Sequence, residues 1–327
     1  VMARARRGER LVIGFIGGSI TQGSLSTTPQ TCYAYRVYTW WKETFPQAEF
    51  AYCNAGIGGT TSEFGVARVG TDLLAERPDF VIVEFSVNDE STEHFKETYE
   101  GLVRKILGAA WNPAVLLVHN VFYHNGANAQ VMHAAIGRHY DLPSVSMQSS
   151  IYPEVVAGRI ENRAITPDDL HPNDEGHALV ASVITYFLEQ VRSGKLTGSN
   201  TSFVPGAKLP APLTKNAYED SVRIRNAAAP DMAGLQQPTL DGFTPDETAQ
   251  NEITDCFRYG WTAEKTGDAI TFLAEGSCIA VQYRKSVKLP APAALAVVDD
   301  DTEHAVRLDA NFDETWGDKL ELATLLE

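Results

Sequence analysis

Ser19 is the residue of this chain best placed for nucleophilic chemistry. It stands in VIGFIGGSITQG (residues 12–23), where a β-branched, aromatic-containing apolar run stops at Gly17 and Gly18. Such a run reads as a buried strand opening into a tight turn, and a turn at a strand end exposes the next side chain instead of burying it. A lone turn serine most often caps a helix, so Ser19 gains meaning only from partners. In TPDDLHPNDEGH (residues 166–177), Asp168 and His171 are separated by two residues. At that spacing a carboxylate reaches the imidazole and fixes which ring nitrogen carries the proton. The competing expectation is that Asp168 or Asp169 caps the helix beginning near Pro172, with His171 on a loop.

A serine that attacks an acyl group needs donors for the negative oxygen of the tetrahedral intermediate. After a strand-like run, EFAYC (49–53), comes NAGIGGTTS, where Gly58 and Gly59 let the backbone approach a ligand and point an N–H at it. Gly59 is the expected donor. After a third apolar run, DFVIVEF (79–85), comes SVND, which puts the Asn88 amide at another strand end. Each of these, taken singly, also reads as an ordinary loop residue.

The four blocks, in this order, resemble the SGNH hydrolases, the GDSL-type esterase and lipase superfamily, over roughly residues 10–195. The resemblance implies Ser19 as nucleophile, Asp168 and His171 as its triad partners, and the Ser19 N–H, Gly59 and Asn88 as the oxyanion hole, on a flavodoxin-like three-layer α/β/α domain. Two positions depart from the family pattern. Its acidic residue before the serine is Gly18 here, which removes a side-chain hydrogen bond that would hold the turn, and the glycine opening its Asn block is Ser86, expected to narrow the oxyanion loop. GGSIT with SVND resembles the variant found among bacterial carbohydrate esterases.

Other motifs fit poorly. A G-x-S-x-G elbow requires glycine where Thr21 stands, and the acid lies beside the histidine in sequence rather than far from it. Neither glycine-rich turn reads G-x-G-x-x-G or ends in G-K-[ST], which argues against nucleotide binding. HExxH and paired CxxC motifs are absent and the other histidines lack metal spacing, so no cofactor or metal is expected. His177 is expected to face the surroundings of the last helix.

The strands near 11–16, 49–54, 79–85 and 114–119 alternate with helical stretches near 31–45, 62–76, 93–109 and 127–140, and a further helix is expected over 173–193. Alternation of this kind requires crossover connections, hence a parallel sheet covered by helices on both faces, with ligands gathering at the carboxyl ends of the strands. GKLTGSNTSFVPGAKLPAP (194–212) reads as a linker or irregular crossover. Beyond it, SVRIRNA, DAITFLA, CIAVQYR, ALAVVDD and HAVRLDA have period-two character between turn-rich segments, the signature of an antiparallel β-sandwich or jelly roll. The expected domains are therefore 1–198, catalytic, and 199–327, a smaller accessory β-sandwich.

At 327 residues the chain exceeds the size at which one core usually keeps growing. A hydrophobic content of 44% without an 18-residue apolar run argues for a globular, non-membrane protein, and a net charge of -15 disfavours nucleic acid and anionic membrane surfaces. Cys32, Cys53, Cys256 and Cys278 are too few for a disulfide framework, with Cys53 expected as a buried strand thiol. Both ends read as incomplete: the basic VMARARRGER is helix-like but lacks the apolar core of a signal peptide, and KLELATLLE is an apolar segment without a terminator. Few cysteines and no visible export signal favour the cytoplasm, and secretion stays open because a removed leader would leave no trace.

The expected activity is a two-step serine esterase acting on short acyl groups, foremost acetyl groups of plant polysaccharides or oligosaccharides such as xylan or mannan. The tandem layout resembles bacterial enzymes of that kind, and the polar loops TQGSLSTTPQT, GGTTSE and NDESTEH suit a hydrated sugar better than lipid. The rival expectations are a thioesterase or lysophospholipase of the same fold, and a carbohydrate-binding protein with an inactive hydrolase domain. Trp261 and Trp316 are aromatic candidates for stacking on sugars, although aromatic residues of a sandwich more often pack in its core. The sequence leaves the oligomeric state open.

Overall fold

The structure is a computed structural model that describes residues 1–196, 208–227, 235–248, 256–314 and 318–326. It divides into two compact units, Val1–Asp220 and Ser221–Glu327.

The first unit runs α1 (Met2–Arg6), β1 (Arg10–Gly17), α2 (Ser19–Gln22), α3 (Tyr33–Thr44), β2 (Glu49–Gly56), α4 (Ser62–Asp72), β3 (Phe80–Glu84), α5 (Glu93–Leu107), β4 (Ala114–His119), α6 (Gln130–His139), β5 (Ser144–Ser146), α7 (Ile151–Val156), α8 (Asn162–Ile165) and α9 (Asp174–Arg192). The five strands are all parallel, in the order β2-β1-β3-β4-β5. β1 and β3 are almost continuous apolar runs because both of their faces are covered. Leu11, Ile13, Phe15, Ile82, Leu116 and Val118 pack with Tyr33, Val37 and Trp41 of α3 and Val180 and Ile184 of α9. The alternate residues meet other helices, as where Leu117 fills the space beside Gly137 of α6. This is the doubly wound α/β/α architecture expected from the sequence, with one addition. The three-residue edge strand β5 is too short for a period to show.

Register decides where the strands release the chain. Gly17 of β1 lies opposite Gly56 of β2 on one side and Glu84 of β3 on the other. The Ile57 N–H bonds the Gly17 carbonyl at 3.0 Å, carrying the ladder one step further. The turns after β1, β2 and β3 therefore leave the sheet side by side, where the strand order reverses around β1.

The first unit extends past the boundary expected at residue 198. Residues 208–220 pack on α5: the Glu100 carboxylate accepts the N–H groups of Leu213 and Thr214 at 2.6 and 2.7 Å and the Thr214 hydroxyl, and Arg104 pairs with Glu219 at 2.6 Å. Tyr218 is buried. The end of the stretch that reads as linker by composition is thus held on the first unit, where Arg104 donates to the Pro210 carbonyl at 2.8 Å and His139 Nε2 lies 2.7 Å from the Ala211 carbonyl; its residues 197–207 lie outside the described residues.

The second unit carries short antiparallel pairs: β6 (Thr239–Asp241) with β9 (Ala269–Thr271), β7 (Thr244–Asp246) with β8 (Gly260–Thr262), β10 (Ile279–Lys285) with β13 (Lys319–Leu326), and β11 (Ala293–Ala296) with β12 (Val306–Asp309). DAITFLA, CIAVQYR, ALAVVDD and HAVRLDA each contribute a strand. SVRIRNA does not: Asn226 instead bonds the Tyr259 carbonyl through its N–H and the Gly260 carbonyl through its side chain, which holds this segment irregular. KLELATLL (319–326) pairs along β10 as a strand. Trp261 is half-buried with its ring edge-on to Phe272 at 5.2 Å, and Trp316 lies outside the described residues.

Candidate active site

Ser19 opens α2 directly after the β1 turn, so its side chain emerges at the carboxyl end of β1. Its Oγ lies 2.8 Å from His171 Nε2. His171 Nδ1 lies 2.6 Å from Asp168 Oδ2, while Asp168 Oδ1 accepts the N–H groups of Leu170 and His171 at 3.1 and 2.7 Å. An ionised Asp168 requires the proton on Nδ1, which leaves Nε2 to accept from the serine hydroxyl. Burial pushes the Asp168 carboxyl up, but the His171 ring and the two backbone N–H groups outweigh it and hold the group below its ordinary value.

The neighbouring acid is engaged elsewhere. Asp169 has φ 70°, and that left-handed turn carries its carboxylate away to Asn162 and to Arg163, 2.8 Å distant. Its carbonyl takes the Tyr123 N–H at 2.7 Å, tying the loop to the segment after β4. Neither Asp168 nor Asp169 caps the last helix. Asn173 does, accepting the Gly176 N–H at 3.0 Å, so the segment 168–171 is free to form its own turn.

The two glycines after β2 lie beside the serine. A Cβ on Gly58 would stand 3.6 Å from Ser19 Cβ. The Gly58 N–H is taken by Gln22 Oε1 at 2.6 Å, and Gly59, exposed at φ 68°, has its N–H in no hydrogen bond among the described residues. Gln22 and Asn54 brace this loop against the turn that carries Ser19, the latter by donating to the Thr21 carbonyl at 2.7 Å and accepting the Gly56 N–H at 2.9 Å. Neither was singled out from sequence, although both stand within the blocks that carry Ser19 and Gly59. Buried Arg68, on α4, donates to the Ala55 and Gly17 carbonyls at 2.7 and 3.3 Å and so clamps the ends of β2 and β1.

Asn88 reaches the same place from β3. A Cβ on Gly18 would stand 2.0 Å from Asn88 Oδ1, so the side chain that the family carries before the serine has no room here. Gly18 is thus a space filled by the Asn88 amide rather than a lost hydrogen bond. Ser86 likewise does not narrow the site. It is fully buried, its Oγ turned to Glu84 Oε1 at 3.0 Å and to the Asn120 carbonyl at 3.1 Å, where it ties the end of β3 to the end of β4. Burial pushes the Glu84 carboxyl up to about 7.

His177 is buried rather than loosely placed. Its Nδ1 accepts the Tyr33 N–H at 3.2 Å and its Nε2 faces the Ser24 carbonyl at 3.2 Å, a neutral ring that burial lowers to about 4. Cys53 is half-buried, its thiol aimed at the Asp72 carbonyl and pushed up to about 11 by burial. Among the described residues, no three His, Cys, Asp or Glu side chains are grouped to hold a metal ion.

The sequence profile of the GDSL-like lipase/acylhydrolase family matches residues 15–179. Two solved structures of a two-domain esterase active on acetylated mannans, one co-crystallised with mannopentaose, resemble the chain over 100% of its length. They show 66% and 67% identity, a TM-score of 0.91 in each case, and coverage of 84% and 85% of their own chains. A comparison with curated protein sequences finds no match. The family match spans β1 to the start of α9, the segment holding all five predicted site residues, and the chain belongs to the GDSL-like lipase/acylhydrolase family of carboxylic ester hydrolases.

Proposed function

We propose that this protein is a serine O-acetylesterase that removes acetyl groups from mannan-type polysaccharides or oligosaccharides. The observation that carries the reading is the unbroken chain Ser19 Oγ, His171 Nε2, His171 Nδ1, Asp168 Oδ2, at 2.8 and 2.6 Å, in a protein 66% identical to an esterase active on acetylated mannans. His171 takes the Ser19 proton as Oγ attacks the acetyl carbonyl, and Asp168 holds the imidazole as it becomes charged. The Ser19 N–H, the Gly59 N–H and the Asn88 amide receive the oxyanion. Collapse breaks the bond to the sugar oxygen, which takes the proton from His171 and leaves as a hydroxyl. Water, activated by the same imidazole, then releases acetate from the acyl-enzyme.

The polar loops around the site favour a hydrated substrate with a small acyl group. Two measurements test the reading together. Ser19→Ala is expected to abolish hydrolysis of a chromogenic acetyl ester while leaving the melting temperature nearly unchanged, because a small turn side chain contributes little packing. The unsubstituted protein is expected to release acetate from acetylated manno-oligosaccharides, with turnover efficiency falling steeply from acetyl to butyryl esters. A preference for octanoyl chains, or acyl-CoA cleavage without acetate release from acetylated glycans, would move the assignment to a lipase or thioesterase.

A further inference from the structure

The two segments proposed to supply oxyanion donors share one buried brace. Asp89 directly follows Asn88, and its side chain is fully buried. Asp89 Oδ1 accepts the N–H of Ser62 at 2.8 Å, the first residue of α4, the helix into which the Gly58–Gly59 loop runs. Asp89 Oδ2 lies 2.9 Å from Nε2 of His133 on α6. The His133 ring is itself fully buried and stacked on Tyr99 of α5, with centroids 3.7 Å apart and planes 4° from parallel. Ser62 Oγ meets Thr98 Oγ1 of α5 at 2.6 Å, closing the circuit.

We propose that Asp89 and His133 are positioning residues for ester hydrolysis: the carboxylate sets the spacing between the Gly59 and Asn88 donors, and the imidazole fixes the carboxylate. The inference rests on the esterase reading of the Ser19 site. Neither residue touches the reacting atoms. A carboxylate with one oxygen on each of two elements transmits a small displacement of either to both donors, and the oxyanion contact is made only as the tetrahedral intermediate forms. Loss of the brace therefore lowers kcat and leaves substrate binding nearly unchanged.

The test measures kcat, KM and melting temperature on a chromogenic acetyl ester for the full chain carrying His133→Phe, which keeps the stack on Tyr99 but loses the ring nitrogen. Ser62→Pro serves as a second variant; at a helix position that tolerates proline it puts a ring carbon in place of the N–H bonded to Asp89 and also removes the Ser62 hydroxyl. Each is expected to lower kcat by about 10- to 100-fold, the scale of a misplaced catalytic contact, with KM changed by less than about threefold. In an Asn88→Ala background the same substitutions are expected to cost much less, because one of the two donors they position is already gone. His133→Gln, which restores an N–H towards Asp89, is expected to recover much of kcat. Should His133→Phe fail to fold, Ser62→Pro decides alone. Folded variants with unchanged kcat, or losses fully additive with Asn88→Ala, overturn the brace. Ester hydrolysis surviving Ser19→Ala overturns the underlying esterase reading instead.

Discussion

At the scale of single residues, the site separates groups that sequence alone leaves equivalent. Asp168 and Asp169 stand side by side, yet only Asp168 meets His171, because the left-handed backbone at Asp169 sends its carboxylate to Asn162 and Arg163. Asp168→Asn is expected to cost orders of magnitude in kcat by favouring the wrong imidazole tautomer. Asp169→Asn should leave kcat within about an order of magnitude, its effect falling on the stability of a loop held by a partly exposed ion pair. A reversed ranking in steady-state assays would reassign the acid. Asn88→Ala is expected to lower kcat by roughly 10² to 10³ if its amide meets the oxyanion. Gly18→Ala tests the same amide from the opposite side. The new methyl would occupy the place of Asn88 Oδ1, 2.0 Å away, and push the amide off its position. Its kcat should fall towards that of Asn88→Ala, and near-normal turnover in folded Gly18→Ala would show that the amide can move without catalytic consequence.

At the scale of elements, three parallel strands in register deliver Ser19 and the segments carrying Gly59 and Asn88 to one end of the sheet, and the turn before α9 brings the Asp168–His171 pair to meet Ser19. The last part of the first unit depends on α5. Glu100 lies under the segment 213–214, and although burial pushes its carboxyl up, the bonds from Thr214, Tyr140 and the Leu213 N–H hold it below its ordinary value. A chain ending at residue 198 loses the Leu213 and Thr214 donors and uncovers the α5 surface, whereas one ending at Asp220 keeps both. The shorter chain is expected to be less stable by ~2 kcal/mol or more, several degrees in melting temperature. Equal melting temperatures for the two would show that residues 208–220 are an appendage rather than part of the unit.

At the scale of the whole molecule, buried imidazoles set how stability follows pH. Burial holds His119 at about 3 and His177 at about 4 in the fold, against 6.5 for an ordinary histidine. Between those values the unfolded chain binds protons that the folded chain refuses, so these groups make stability rise with pH from about 4 to about 6.5. Glu84 acts in the opposite sense: its raised carboxyl, at about 7 against an ordinary 4.5, keeps a proton that the unfolded chain gives up, withdrawing stability as pH rises through that interval. The melting temperature is expected to climb between pH 4 and 6.5, and more steeply in Glu84→Gln than in the unsubstituted protein. Parallel curves for the two would place the Glu84 proton outside this window.

Sequence by itself determined the chemistry and the layering. Apolar runs that stop at Gly-Gly-Ser, Gly-Gly-Thr and Ser-Val-Asn mark strands opening into turns, because backbone and side-chain preferences act within a few residues and leave a local trace. Asp168 and His171 were legible for the same reason: three residues of separation suffice for a turn to join them. What only the tertiary structure decided is whatever depends on residues far apart in the chain. The filling of the Gly18 space by Asn88, the burial of Ser86 against Glu84 and Asn120, and the stacking of His133 on Tyr99 beneath Asp89 are packing events between different strands and helices. So is the docking of 208–220 on α5, where Glu100 holds residues 213 and 214 and Arg104 holds Pro210 and Glu219, partners more than a hundred residues apart in the chain, at the end of a stretch whose composition reads as linker. Local rules placed each reacting group at a strand end or in a turn; the register of β1 with β2 and β3, set by the whole sheet, brought them to one point.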